Sequence, residues 1–246
     1  MDLDARMKLY EQLHNHTVCP RLPLIARIDG RAWHTWTKKC QRPFDAALHK
    51  LMQQTLIGLV KEFCPVIGYT QSDELSLIFW QKEHESQHPF GGRINKLNSV
   101  LASYATKVFS ETLIKTPHPM LTSLPNFDTR CFVVPSQDEA CNYLLWRWRD
   151  CAKNSIAMAA QAKFSHKGLH GKDQNQMQEM LFQVHGINWN NYPAEQKGGS
   201  WVRRENYKGP NNSTRSRVAV IQNMPRFDTL NSKVNFVFNG ASHLDA

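Results

Sequence analysis

The chain has 246 residues, of which 41% are hydrophobic and 21% charged, and its formal net charge is +9. That length allows one large domain or two small ones around a substantial core, and the composition excludes wholesale disorder. No apolar run approaches the roughly 18 residues of a membrane span. The N-terminal MDLDARMKLYEQLHNH carries early acids and lacks a signal-peptide h-region, so a cytoplasmic setting is expected.

Cys19, Cys40, Cys64, Cys131, Cys141 and Cys151 are widely spaced with no C-x-x-C pair, which points to reduced thiols and away from a zinc site of usual spacing. The positive surplus is uneven: residues 163–226 carry ten Lys and Arg against four acids. Such a balance favours a polyanionic partner, nucleic acid being the commonest, although charge alone leaves other partners open.

In chain order, residues 1–20 read as an amphipathic helix that stops before Cys19-Pro20. LPLIARI, residues 22–28, reads as a buried strand with Asp29-Gly30 at its C-terminal end. Residues 44–63 follow Pro43 and carry a helical apolar stripe closed off by Pro65. Residues 66–80 alternate as two strands turning at Gln71-Ser72-Asp73, a β-hairpin with Asp73 close to its tip. A second long amphipathic helix is predicted over 92–114, and a strand over 127–134 stopped by Pro135. Ser136-Gln137-Asp138-Glu139 matches a capping box, so a third helix should run from Ser136 to about Phe164. Beyond that, 173–185 could be helical, whereas the Asn-, Gly-, Lys- and Arg-rich stretch 188–217 reads as loops or short irregular strands.

The order is close to a split βαββαβ arrangement, an α+β fold with an antiparallel sheet and helices on one face. It predicts a catalytic domain over 1–164 and a basic helical or irregular extension over 165–246 packed on it, or else one continuous domain.

Asp29 ends one strand and Asp73 sits on a hairpin, with a crossover helix between them. A βαββ unit can set those strand ends side by side, where two carboxylates could share hard cations. Magnesium takes oxygen ligands and usually keeps substrate phosphates in its shell, and a pair of such ions serves phosphoryl and nucleotidyl transfer. Gly30 would let a phosphate or metal approach the backbone, and its carbonyl is a candidate ligand. Glu74 adds a third carboxylate. Taken singly, each acid also reads as an ordinary turn or solvated hairpin residue; it is their joint placement that makes a site.

Phe90-Gly91-Gly92-Arg93 opens the second long helix with Lys96 on its first turn, a ready anion site, or else a plain helix start with two exposed bases. Arg27 and Arg42 are further candidates near Asp29. No Walker A pattern is present. Trp146-Arg147-Trp148-Arg149-Asp150 could stack on RNA bases, but at helical spacing one Trp would be core and the other near the surface.

The segments IARIDGRAWHTWTK, GYTQSDELSLIF, PFGGRINKLNSVLAS, FDTRCFVVPS and NYLLWRWRDCAKNSI resemble the tRNA-histidine guanylyltransferase family, in register over about residues 6–195. The resemblance implies a catalytic domain similar to polymerase palms and nucleotide addition in the 3′-to-5′ direction at the 5′ end of tRNA. It implies that Asp29 and Asp73, with the Gly30 carbonyl, hold two Mg2+ ions, and that Glu74 is their acidic neighbour. Arg27, Ser72, Arg93, Lys96 and Asn154 match positions that contact nucleotide phosphates; Arg42 stands where relatives often have lysine. ATP or GTP would activate the 5′ phosphate, nucleoside triphosphates would be added, and a homotetramer is implied.

One departure matters. Where members recognising the histidine anticodon read D-C-H-I-N-N, this chain reads Asp150-Cys151-Ala152-Lys153-Asn154-Ser155. With Ala152 in place of histidine, it resembles the "like" branch that copies a template and repairs truncated tRNA. The alternative is guanosine −1 addition specific to histidine tRNA, and a non-catalytic nucleic-acid-binding protein is the reading of another class.

Overall fold

The computed structural model describes residues 1–81, 86–240 and 242. Its elements are α1 (Leu3–Gln12), β1 (Leu24–Gly30), α2 (Trp33–Trp36), α3 (Ala46–Phe63), β2 (Ile67–Gln71), β3 (Glu74–Phe79), α4 (Ile94–Lys115), β4 (Phe127–Val133), α5 (Gln137–Gln161), α6 (His166–Leu169), α7 (Gln174–His185), α8 (Ala194–Gly198), β5 (Ser200–Lys208), β6 (Thr214–Val220) and α9 (Lys233–Phe238). The six strands form one antiparallel sheet in the order β4-β1-β3-β2-β5-β6. The class is α+β as expected, and β3 lies between β1 and β2 as a split βαβ unit requires.

Local chemistry sets the helix ends. Asp45 caps α3 by accepting the Leu48 N–H at 3.0 Å. Ser136 caps α5 by accepting from Glu139 N–H at 3.1 Å, but the expected capping box is only half made, because the Glu139 carboxylate holds Asn142 at 2.7 Å instead. The full box is found on α7, between Asp173 and Gln176.

The sheet has helices on both faces, not on one. Leu24, Ala26, Ile28, Leu75, Leu77 and Phe79 meet the buried stripes of α3 and α4. Ile25, Ile67, Tyr69 and Ile78 point the other way, under Ala140, Leu144 and Trp148 of α5 and Phe236 and Val237 of α9. Every residue of β2 and β3 is buried, which only two-sided cover permits. Each fully buried large apolar side chain contributes about 1.5–3 kcal/mol, so the hairpin at the centre of the sheet is its best-anchored part.

Two further expectations are corrected. The N-terminal helix is short and none of its residues is buried; residues 16–18 instead run extended against Gly92–Ile94. The stretch 188–217, read as loops or short irregular strands, contains β5 and the start of β6, two regular strands of nine and seven residues. Trp201 and Val202 are buried on opposite faces because β5 pairs with β2, while the outer part of the hairpin is polar because it runs past the cores.

Candidate active site

Ser72 and Asp73 make the two-residue turn between β2 and β3, closed by Gln71 and Glu74, with Ser72 in the left-handed region at φ 50°. Beside it β1 ends, and the Gly30 N–H donates to the Asp73 carbonyl at 3.1 Å. Gly30 has no room for a side chain, since a Cβ there would collide with the Trp33 indole. Asp29 stands in cross-strand register with Glu74 on β3 and with Asp128 on β4. The Asp73 carboxyl is pushed up to about 6, first by burial and then by the negative charge of Asp29. A carboxyl raised by burial and by a neighbouring carboxylate in this way marks a site short of positive charge.

Glu74 is used differently. It is 2% exposed, and Arg147 Nε and Nη2 donate to its two oxygens at 2.7 and 2.6 Å. Arg27 Nη2 adds a contact at 3.0 Å and reaches Asp29 Oδ2 at 3.1 Å. The arrangement gives Glu74 a positioning role rather than that of a further metal ligand. Arg147 also donates to Asp150 at 3.1 Å, and Asn154 Nδ2 donates to the same oxygen at 3.3 Å. A continuous polar chain therefore runs Asp29–Arg27–Glu74–Arg147–Asp150–Asn154. Tyr143 and Ser76, hydroxyl to hydroxyl at 2.8 Å, flank it.

Other sequence candidates lie elsewhere. Arg42 is exposed in the loop between α2 and the start of α3. Arg93 and Lys96 are not part of the cluster within one chain. Arg93 bridges Thr17, its Nε donates to Phe90 O at 3.2 Å, and Lys96 lies over the Phe90 ring at 5.4 Å. His88 fixes this segment to Leu22 O, ahead of β1, whereas Asp29 lies at the far end of that strand. Lys96 is about 20 Å of helix rise from Phe109, the α4 residue that touches Trp33 beside Gly30.

Trp148 is core at 6% exposure and Trp146 surface at 56%, as helical spacing predicted. Sequence reading missed Arg147, although its place within the buried stripe of α5 was a signal, since a buried arginine requires an acidic partner. It also missed Asp128 and Arg130, which only the β1–β4 register brings to the site. All six cysteines are free. Cys40, Asp45 and His118 converge, but His118 Nδ1 accepts from Met120 N–H and Nε2 faces Asp45 at 3.0 Å, leaving the ring no lone pair for a metal.

Fold and site together define an α+β protein with paired carboxylates and arginines at neighbouring strand ends. A family profile described as Thg1, tRNAHis guanylyltransferase, matches residues 4–135. The tRNA(His) guanylyltransferase of Schizosaccharomyces pombe is 32% identical over 211 residues, covering 80% of this chain and 78% of the relative; that of Saccharomyces cerevisiae is 31% identical over 225 residues, covering 82% and 91%. A bacterial Thg1-like protein solved in complex with ATP superposes with a TM-score of 0.86 at 36% identity, covering 96% of this chain and 99% of the other. A GTP complex of a bacterial Thg1-like protein gives 0.77 at 33% identity, covering 96% of each. The chain belongs to the tRNAHis guanylyltransferase (Thg1) family of nucleotidyltransferases.

Proposed function

We propose that the protein is a template-dependent 3′-to-5′ nucleotidyltransferase that adds nucleotides to the 5′ end of tRNA. The juxtaposition of Asp29 and Asp73, held by the Gly30–Asp73 backbone bond, is the observation that carries this reading. The cluster fits hard cations: its donors are carboxylates, and among the described residues Asp29, Glu74, Asp128 and Asp150 share three arginines, Arg27, Arg130 and Arg147, while Asp73 adds a further carboxyl beside Asp29. Asp29, Asp73 and the Gly30 carbonyl would hold two Mg2+ ions, which supply activation of the attacking oxygen and neutralisation of phosphate charge when bound.

The 5′-phosphate of the tRNA first attacks the α-phosphorus of ATP or GTP and expels pyrophosphate. The 3′-hydroxyl of the incoming nucleotide then attacks the activated 5′ phosphorus and expels the nucleoside monophosphate. Arg27 holds Asp29 in place through both steps, with Glu74 and Arg147 behind it. Ser72 and Asn154 border the cluster and are assigned to nucleotide phosphates; Arg42, Arg93 and Lys96 keep their assignment from the family resemblance, the last two without a place in the cluster of one chain. Residues 1–164 carry the catalysis and 165–246 extend the same sheet as a basic surface for RNA. A homotetramer is part of the proposal.

The relatives' printed activity favours a second reading, guanosine addition specific to histidine tRNA, whereas Ala152 favours broad repair. Extension of a 5′-labelled tRNA lacking its first nucleotide, with Mg2+, ATP and all four triphosphates, tests both. Templated filling of any truncated tRNA supports repair. Addition confined to a histidine tRNA lacking its −1 guanosine, run beside the truncated tRNA, supports the second reading, and inactivity on both RNAs defeats both.

A further inference from the structure

We infer that Trp146, with Phe132 beside it, forms a stacking surface for the terminal base pair at the 5′ end of the RNA. This rests on the reading of Asp29 and Asp73 as the catalytic pair. Trp148 of the Trp146-Arg147-Trp148-Arg149-Asp150 run is core, but Trp146 is 56% exposed and Phe132 is 38% exposed. Between them lies the buried ring of Tyr143, its centroid 5.8 Å from that of Phe132 and 6.1 Å from that of Trp146, at interplanar angles of 76° and 67°. The Tyr143 hydroxyl is fixed to the Ser76 hydroxyl at 2.8 Å, so the two exposed rings stand against an anchored third. Trp146 has two different faces. The Arg147 guanidinium lies over one of them, 4.5 Å from the ring centroid, and because that arginine is buried against Glu74 this is the inward face. The contact holds the indole plane, so the outward face meets a planar partner with little further loss of side-chain freedom.

Location decides what that partner is. One guanidinium separates the indole from Glu74, and Glu74 stands opposite Asp29 in the ladder. Alternate residues of the edge strand β4 share a face, so Phe132 lies four residues, about 13 Å, from Asp128, the other partner of Asp29. An RNA whose 5′ phosphate reaches the carboxylates brings its first bases up to these rings, and aromatic side chains are the usual partners of RNA bases at chain ends. Two exposed rings astride a third make a surface broader than one base and suited to a pair. Stacking is tolerant of base identity, which suits an enzyme that serves RNA ends of differing sequence.

Steady-state addition and RNA binding are measured on the full chain for wild type, Trp146→Ala, Trp146→Leu, Trp146→Phe and Phe132→Ala, with folding checked by thermal melts and assembly by sedimentation. The RNA is a tRNA lacking its first nucleotide and carrying 2-aminopurine, paired with uridine, as its 5′-terminal base; its emission falls further when an aromatic ring covers it. Trp146→Ala and Trp146→Leu are expected to raise KM for RNA about 5- to 100-fold with kcat little changed, and to leave the probe bright. Leucine keeps an apolar side chain without a π-face, so it stands in if the alanine variant does not fold. Trp146→Phe should keep most of the affinity and the quenching, and Phe132→Ala should raise the same KM by about twofold to fivefold. Unchanged KM for RNA in Trp146→Leu, or a loss confined to kcat, overturns the inference. So does a rise in KM for nucleotide alone, which gives the surface to the incoming base, and so does altered assembly with RNA binding unchanged, which gives it to a second copy of the chain. If the wild type adds no nucleotide, the parent reading fails, and RNA binding decides separately: weaker binding with an unquenched probe in Trp146→Leu sustains the stacking role. Equal binding, or none by the wild type, overturns it.

Discussion

The β2–β3 hairpin is buried along both strands and turns in two residues, whereas β5–β6 sinks only Ser200–Arg203 into the sheet and carries residues 204–217 largely into solvent. The first sits between two cores and fixes the position of Asp73 against Asp29. The second is hydrogen-bonded to the same sheet, yet bears Arg204, Lys208, Arg215 and Arg217 and an exposed Tyr207 under the Arg217 guanidinium. In the function proposed above, one hairpin serves reaction geometry and the other presents cations to a large polyanion. Sheet membership alone does not distinguish them; burial does.

The sharpest break in that contrast is at the inner turn. Asp73→Ala should reduce nucleotide addition on the order of a thousandfold while the chain still folds, seen as an intact melting transition; activity near wild type would remove Asp73 from the chemistry. Arg147→Ala should be a stability lesion. It takes the bidentate partner from the buried Glu74 carboxylate and leaves it the single Arg27 contact, and truncating one partner of a buried pair costs about 3–5 kcal/mol, measurable by urea unfolding.

A smaller effect follows from the Asp73 carboxyl, raised from 3.8 to about 6. Because the folded value exceeds the unfolded one, its stabilising contribution is complete below the ordinary aspartate value and is lost as pH rises through about 6. Asp73→Asn should therefore stabilise the metal-free protein by about 2 kcal/mol at pH 8 and by almost nothing at pH 3, while abolishing addition. Equal unfolding midpoints for wild type and variant at pH 8 would show that Asp73 carries no such penalty. The mildest change belongs to the outer hairpin. Arg215→Ala or Arg217→Ala should leave the melting temperature nearly unchanged, weaken RNA binding, and reduce the slope of log affinity against log salt by about 0.7–0.9 per lost phosphate contact. An unchanged slope would show that the hairpin does not touch the RNA backbone.

The inner hairpin was legible because Leu75, Leu77 and Phe79 alternate with residues of the other face around a polar turn. The outer hairpin was not. Only Trp201 and Val202 of β5 enter the cores, and the remaining strand residues have the composition of a loop. Helices on both faces were missed for a related reason: β1 alternates Ile25 with Arg27 on its second side, and such a mixed pattern does not say what covers it. At the site, Asp29 and Asp73 could be read because strand ends and turns leave local marks. The Glu74–Arg147 pair joins residues 73 apart, and the register of Asp29 with Asp128 depends on a pairing across the whole α4 excursion. Arg93 and Lys96 show the converse. A good local anion signature lies beside residues 16–22, away from the carboxylates.

Asp29 lies on a strand bonded on both sides, with Glu74 opposite it in one neighbour and Asp128 in the other. A strand repeats every two residues, so one residue inserted between Leu24 and Asp29 would turn Asp29 toward the hydrophobic layer and bring Ile28 to its place at the site. Over evolutionary time, then, substitutions can accumulate along this strand but changes of length cannot, and insertions in descendants of this sequence should gather at the tip of the outer hairpin, where an added residue shifts no partner.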